Sequence, residues 1–352
     1  MNQSLRRALL TTVPTFLVLS STLHASEGDE RALAIDDLVA QVKQRSQPTE
    51  TPALTLDAAA TAPAADTAPA WEKGAPLPFH TIEGYGGGAI TPMAYLVNPG
   101  KPGDIFGKPS VAFSYVNLGS KNLEAFTLTE TLFGRVELGF GADRLDLGNT
   151  PGDIKRVTNV DIGTHDVWLY NFNTRVLVLP ENSFNTKWLP AITIGSHFKY
   201  NSDIGDINKS LGGALSSIGY HHSSGEDLTL TATKMFPKLA LGRPVIVTGG
   251  WRESQAANLG FLGFGQDWSG TFEGNIAILP TDWLLVAYEF RQKEDPYGRI
   301  PGLINGENNW HAVDVSWIIN KNATLVAGWG NFGTLGNSEA DGAWWLQLKY
   351  EF

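Results

Sequence analysis

Residues 342–352 place Trp344, Leu346, Leu348, Tyr350 and Phe352 on one side of an extended chain and Gln347, Lys349 and Glu351 on the other. Successive side chains of a strand point to opposite faces, so this period of two specifies a strand with one apolar and one polar face. The same alternation runs through 323–332, 309–319, 282–293, 269–279, 244–253, 227–236, 188–200, 165–178, 134–145, 122–131 and 109–118, which makes twelve segments with the last. Most are about ten residues long, enough to cross an apolar band roughly 25 Å tall at a tilt of about 45°. The pattern predicts an all-β fold, an antiparallel transmembrane β-barrel of about 12 strands over 109–352.

The connections support the same expectation, because bacterial barrels keep short turns on the periplasmic side and longer loops outside. Gaps at 333–341, 294–308, 254–268, 201–226 and 146–164 are long. Those at 320–322, 280–281 and 132–133 are short, and 237–243 and 179–187 are intermediate. The tight turn at 119–121 is the exception on the outer side. An even strand number then puts both termini in the periplasm. Composition agrees: 38 Gly, 17 Phe, 11 Trp and 9 Tyr with 18% charged residues suit short strands, tight turns and an aromatic-rich surface. The mean hydropathy of -0.11 does not argue against a membrane, because lipid-facing and lumen-facing residues alternate and their hydropathies cancel.

Ahead of the barrel, residues 1–25 read as a signal peptide. Arg6 and Arg7 precede an apolar run from Ala8 to Leu19 and a small-residue region ending near Ala25. Residues 26–47 carry Leu33, Leu38, Val39 and Val42 at helical spacing and read as a short periplasmic helical segment. Residues 48–78 are rich in Ala, Pro and Thr, which reads as a disordered linker. The Gly-rich stretch 79–108 reads as a lead-in at the lumen or the periplasmic mouth, because a thirteenth strand would break even parity. The absence of cysteine excludes lipoprotein anchoring, disulfides and thiolate metal sites. A formal charge of -10, with no cluster of Lys and Arg, gives no support to a nucleic-acid partner, and none is expected.

With apolar faces toward lipid, the opposite faces nominate lumen-lining residues: Arg135, Glu137, Asn173, Arg175, Lys199, Arg252, Glu273, Glu289, Arg291, Asp314 and Lys349. Asn171, His197, Thr229, Thr231, Asn275, Lys293 and Glu351 share those faces, giving seven basic and five acidic side chains in all. Such a mixed set either lines a narrow aqueous pore or pairs internally into a closed plug, since buried charges need partners. Trp168, Trp188, Trp268, Trp283, Trp310 and Trp344 lie near strand ends, where interfacial aromatic girdles form.

Residues with chemical potential are few. The Gly84 to Gly88 run lacks the Lys-Ser/Thr ending of a phosphate loop, and His and carboxylates do not show metal-site spacing, so no metal or cofactor is expected. In His221-His222-Ser223-Ser224-Gly225 an imidazole and a hydroxyl share one face of an extended chain. This stretch resembles the His-x-Ser-Asn-Gly of outer-membrane phospholipase A, with Ser224 where that family has Asn. The resemblance implies an alternative function, an outer-membrane lipid hydrolase using a His-x-Ser pair near 221–224.

The terminal Lys-Tyr-Glu-Phe resembles the C-terminal signal of outer-membrane barrel strands. That signal implies hand-over to the barrel-assembly machinery through the strand ending at Phe352. Gly-Gly-Ala-Ile-Thr-Pro at 87–92, Lys-Pro-Ser-Val-Ala-Phe-Ser-Tyr-Val-Asn-Leu-Gly-Ser-Lys at 108–121 and Leu-Phe-Gly-Arg-Val-Glu-Leu-Gly at 132–139 carry a wider likeness. With 282–293 and the terminal Leu-Lys-Tyr-Glu-Phe, they resemble an uncharacterised proteobacterial outer-membrane barrel family known as a domain of unknown function. A fainter likeness is to barrels associated with exopolysaccharide production. The expectation is a non-enzymatic barrel of the bacterial outer membrane, a narrow porin-like channel or an envelope scaffold. Its surroundings are outer-membrane lipid and lipopolysaccharide, with a periplasmic partner for the N-terminal arm.

Overall fold

The structure, a computed structural model, describes residues 77–352. The expected signal peptide, the expected helical segment 26–47 and all but the end of the expected linker 48–78 lie outside the described residues. Among the described residues twelve strands close into one antiparallel barrel. They are β1 Ser110–Asn117, β2 Asn122–Leu132, β3 Val136–Asp146, β4 Asp166–Leu179, β5 Ala191–Asn201 and β6 Ser224–Ala240. The others are β7 Arg243–Ala256, β8 Phe264–Ile278, β9 Leu284–Arg291, β10 Trp310–Ile318, β11 Ala323–Asn331 and β12 Ala343–Glu351. Each strand pairs with its sequence neighbour, and β12 closes on β1 with Glu351 opposite Ser110. The start of β1 and the end of β12 therefore share one end, called here the terminal end.

Strand number and order follow the alternation, while some boundaries move. β6 runs on to Ala240 past a register shift after Phe236, so the expected gap at 237–243 shrinks to Leu241-Gly242. Both of these residues have positive φ, 51° and 74°, the backbone that a two-residue hairpin turn requires. β8 begins at Phe264 instead of 269, pairing there with Ala256 of β7. The loop end carries the long connections. Helix α1, Thr150–Thr158, has Pro at its first turn and ends on a left-handed Asn159. Helix α2, Ile204–Ser210, buries Ile204 and Ile207 one turn apart.

Polar side chains face in and apolar side chains face out, the inverse of a soluble barrel. Thr127, Thr129, Glu137, Asn171, Lys199 and Gln347 are buried inside, whereas Phe113, Phe126, Phe172, Ile194, Leu230 and Leu346 are exposed on the wall. A continuous apolar exterior on a closed sheet is what a bilayer covers. Phe172, 51% exposed near the middle of β4, packs beside Phe140 and Phe198 on the adjacent strands. Phe172→Arg is expected to destabilise the barrel by about 2–4 kcal/mol, the usual cost of a cation at mid-bilayer depth. Urea unfolding in lipid vesicles checks this, since the same change on a water-exposed wall would stay within about 0.5 kcal/mol.

Exposed Trp168, Trp188, Trp268, Trp283 and Trp344 sit on the wall or its rims. Trp310 corrects the girdle expectation: it is 4% exposed and faces inward. It has the same parity on β10 as Ala312 and Asp314, which are also buried.

Candidate functional site

The barrel interior is occupied by residues 79–97. Phe79–His80 pairs with Gly86–Gly87, and the chain folds back so that Ile82 N donates to Ala89 O at 3.0 Å and Gly88 N to Thr91 O at 2.9 Å. The Gly-rich run permits the close approach of this segment to the wall. Gly84 has φ +87°, and a Cβ built there would lie 2.6 Å from Phe140 O on β3. Polar side chains of the wall hold the segment at many points. His80 lies between the Thr127 and Thr129 hydroxyls at 2.7 and 3.0 Å, and Ala94 N donates to Thr233 Oγ1 at 2.7 Å. Asn173 Nδ2 donates to Glu83 O at 2.7 Å.

Glu83 is the centre of this plug. Its carboxylate takes an ion pair from Lys199 of β5, one from Arg291 of β9 at 2.6 Å and a longer one from Arg252 of β7 at 3.7 Å. Asp227 of β6 meets Lys199 at 2.7 Å and Arg252 at 2.8 Å, and Glu273 of β8 meets Arg252 at 3.1 Å. Tyr85 joins the two halves, donating to Glu83 Oε2 and accepting from Arg252 Nη2, both at 2.7 Å. Three cations thus meet three carboxylates in a fully buried, charge-balanced cluster, the condition under which buried ions are tolerated.

Two further carboxylates grip the plug backbone. Glu137 of β3 and Arg175 of β4 form a bidentate pair at 3.0 Å. Glu137 also accepts from Gly86 N and Val97 N at 2.9 and 2.7 Å, while Arg175 donates to Met93 O and Tyr95 O at 2.6 and 3.0 Å. Glu289 of β9 accepts the amides of Ala89, Ile90 and Thr91 at 2.7, 3.2 and 2.8 Å. Lys349 of β12 bonds Pro78 O and Glu351, and Asp314 is buried on β10. Arg135 is the exception among the sequence candidates. It is exposed in the 133–135 turn before β3, with Nη1 reaching Leu177 O at 3.3 Å, because strand parity extends past the point where the wall ends.

Glu83, Tyr85, His80 and Asp227 were not among the sequence candidates. A signal for the acids existed in the seven-to-five excess of basic over acidic inward residues, which calls for carboxylates from elsewhere. Asp227 also has the parity of Thr229 and Thr231.

Open space lies on each side of the plug. Toward the terminal end, a cavity of about 640 Å³ reaches from Phe79, Met93 and Tyr95 to Lys321 and Phe352. Toward the loop end, a smaller space of about 100 Å³ lies between Ile82, Ala89 and Ile90 of the plug and the packed loops.

Residues 78–349, nearly the whole of the described chain, match the family described as Protein of unknown function (DUF3034). The chain belongs to the DUF3034 family. No curated protein matches its sequence. Among solved structures, this DUF3034 barrel resembles outer-membrane channels and porins. The KdgM porin aligns at 11% identity and a TM-score of 0.42, over 69% of this chain and 99% of the porin. The NanC porin aligns at 8% and 0.40, over 69% and 98%. The COG4313 outer membrane channel from Pseudomonas putida F1 aligns at 11% and 0.38, over 72% and 99%.

In the DUF3034 barrel the His221–Ser224 stretch leads into β6 at the loop end. Ser223 Oγ lies 2.8 Å from the Tyr220 hydroxyl, and His222 forms a backbone bridge with Phe264. At the same end of the barrel, Lys121 ties the loop roof together. It donates to Asn337 Oδ1 at 3.1 Å and to Ser338 Oγ, while Asn337 itself bonds Thr150 and Asp153. Burial pushes the Lys121 amine down to about 8, against the opposing pull of Asp153. The unfolded chain keeps this proton up to the ordinary lysine range near 10.4, so roof stability rises with pH between about 8 and 10, and below 8 the full burial penalty remains. A side-chain ¹⁵N titration of lysine-labelled protein is expected to give one amine a midpoint near 8 that disappears in Lys121→Met. A Lys121 midpoint in the ordinary range would contradict the roof geometry.

Proposed function

We propose that this protein is an outer-membrane channel held shut by its own residues 79–97, with the terminal end in the periplasm and the long loops outside. The charge-balanced cluster around Glu83 carries the reading. It fastens the plug mostly through side chains of the wall instead of a continuous strand ladder, so the plug can leave without unzipping the barrel. The distribution of long and short connections supports the orientation. The exposed apolar belt supports surroundings of outer-membrane lipid, and the Phe352 strand supports delivery by the barrel-assembly machinery. A scaffold, the second reading, is favoured by the same sealed lumen and differs in that its plug never moves.

The chain has no cysteine, so a single Ala94→Cys reports on the plug alone. A membrane-impermeant maleimide is expected to label it slowly in the otherwise native chain and at least tenfold faster when Glu83→Gln is added. Equal, slow labelling in both would support the scaffold, and fast labelling of Ala94→Cys alone would remove the plug.

A further inference from the structure

The space at the loop end differs in chemistry from the rest of the interior. Its floor is Ile82 and Ile90 of the plug, its walls include Trp310 and Trp345, and its roof includes Ile207 of α2 and Phe261 of the β7–β8 connection. Most of its polar neighbours have their own partners: the Lys121 amine points to Asn337 and Ser338, and Asn258 N donates to Glu307 Oε1 at 2.8 Å, which leaves only Asn258 Oδ1 and the Trp345 indole N–H unpartnered among the described lining residues. Water needs two to four polar partners to stay in a cavity, and apolar cavities of this scale remain dry. Protein interiors otherwise pack with few voids larger than a water molecule. An apolar void of about 100 Å³ at the junction of plug and loops is therefore a binding volume for something that water is not.

We infer that this cavity binds one small, uncharged apolar molecule of about the size of a benzene ring or a short alkyl chain. An apolar cavity of about 150 Å³ takes up benzene, which sets the upper size here near a single six-carbon ring. One acceptor, Asn258 Oδ1, and one indole N–H, that of Trp345, are too few polar groups to satisfy an anion, a sugar or a lipid headgroup. The ligand would rest on Ile90, whose amide is held by Glu289 and whose carbonyl accepts from Arg291 at 3.3 Å. Its occupancy is thus sensed by the backbone that the ionic cluster fastens. This assignment goes beyond the channel reading and stands whether or not the plug moves.

The test uses the full chain in lipid nanodiscs with 5-fluorotryptophan, and benzene as the probe. Trp310 and Trp345 line the cavity, whereas Trp188 and Trp283 are exposed. Benzene is expected to shift the Trp310 and Trp345 resonances saturably, with charged benzoate at least tenfold weaker. Filling the space with Ile154→Phe and Ile207→Phe together is expected to weaken benzene at least tenfold, in a barrel whose heat-modifiable gel migration is unchanged. Channel silence would leave this readout intact, so the two ideas fail separately. Linear shifts at all tryptophans, indicating partition into lipid only, would overturn the assignment. So would undiminished binding in the folded double variant, or a co-purifying lipid chain in native mass spectra that benzene does not displace.

Discussion

Glu83→Gln is expected to loosen the plug by about 3–5 kcal/mol, because it leaves Lys199, Arg252 and Arg291 facing only Asp227 and Glu273 inside a buried cluster. The strand ladder is untouched, so the barrel itself should still fold and show heat-modifiable migration. The loss should appear as faster hydrogen exchange in residues 79–97 while the strands stay protected. Charge balance, more than any one contact, is the physical content of this expectation. Lys199→Met added to Glu83→Gln restores equal numbers of cations and carboxylates and should recover part of the loss. A double-mutant cycle in which the two effects simply add would show that these side chains do not act on each other.

Arg175→Met is expected to be comparably severe, also about 3–5 kcal/mol, since it strands the buried Glu137 carboxylate. It also removes the donors to Met93 O and Tyr95 O. The companion variant sharpens the expectation. Removing both charges, with Glu137→Met and Arg175→Met, eliminates the unpaired ion and should cost less than Arg175→Met alone, even though more hydrogen bonds are lost. Exchange rates across residues 79–97 would report it, read at amides other than Gly86 and Val97, which lose their Glu137 acceptor in the double variant. If Arg175→Met left the plug amides protected, the clamp would not be what holds the plug.

The wall of this barrel was legible because its two faces meet opposite solvents. Every residue on the period of two either meets lipid or faces the interior, and Trp344 through Phe352 display the rule without interruption. Where residues broke the expectation, the cause was local. Arg135 has the right parity but lies in the turn, beyond the last residue that the wall covers. Residue type and a strand-end position put Trp310 in a girdle, although its parity with Asp314 places it inside.

The plug was less legible. Its backbone is irregular, so no period announces it, and its anchoring residues are matched to wall residues far along the chain: Glu83 meets Arg291, and Thr91 meets Glu289. The Gly84 to Gly88 run marked a place where backbone comes close to something without saying what. The loop helices and the apolar space beneath them were invisible for a similar reason. Ile154, Ile204, Ile207 and Leu215 come together only after the barrel has brought their loops to one end.

The most direct measurement of the central claim is single-channel recording in planar bilayers, with the native chain and Glu83→Gln compared after folding has been verified. A sealed lumen predicts a native protein that is silent apart from rare openings, and stable current steps from Glu83→Gln. Steady native conductance at the level of the variant would contradict it, because the segment from 79 to 97 would then not be blocking the pore.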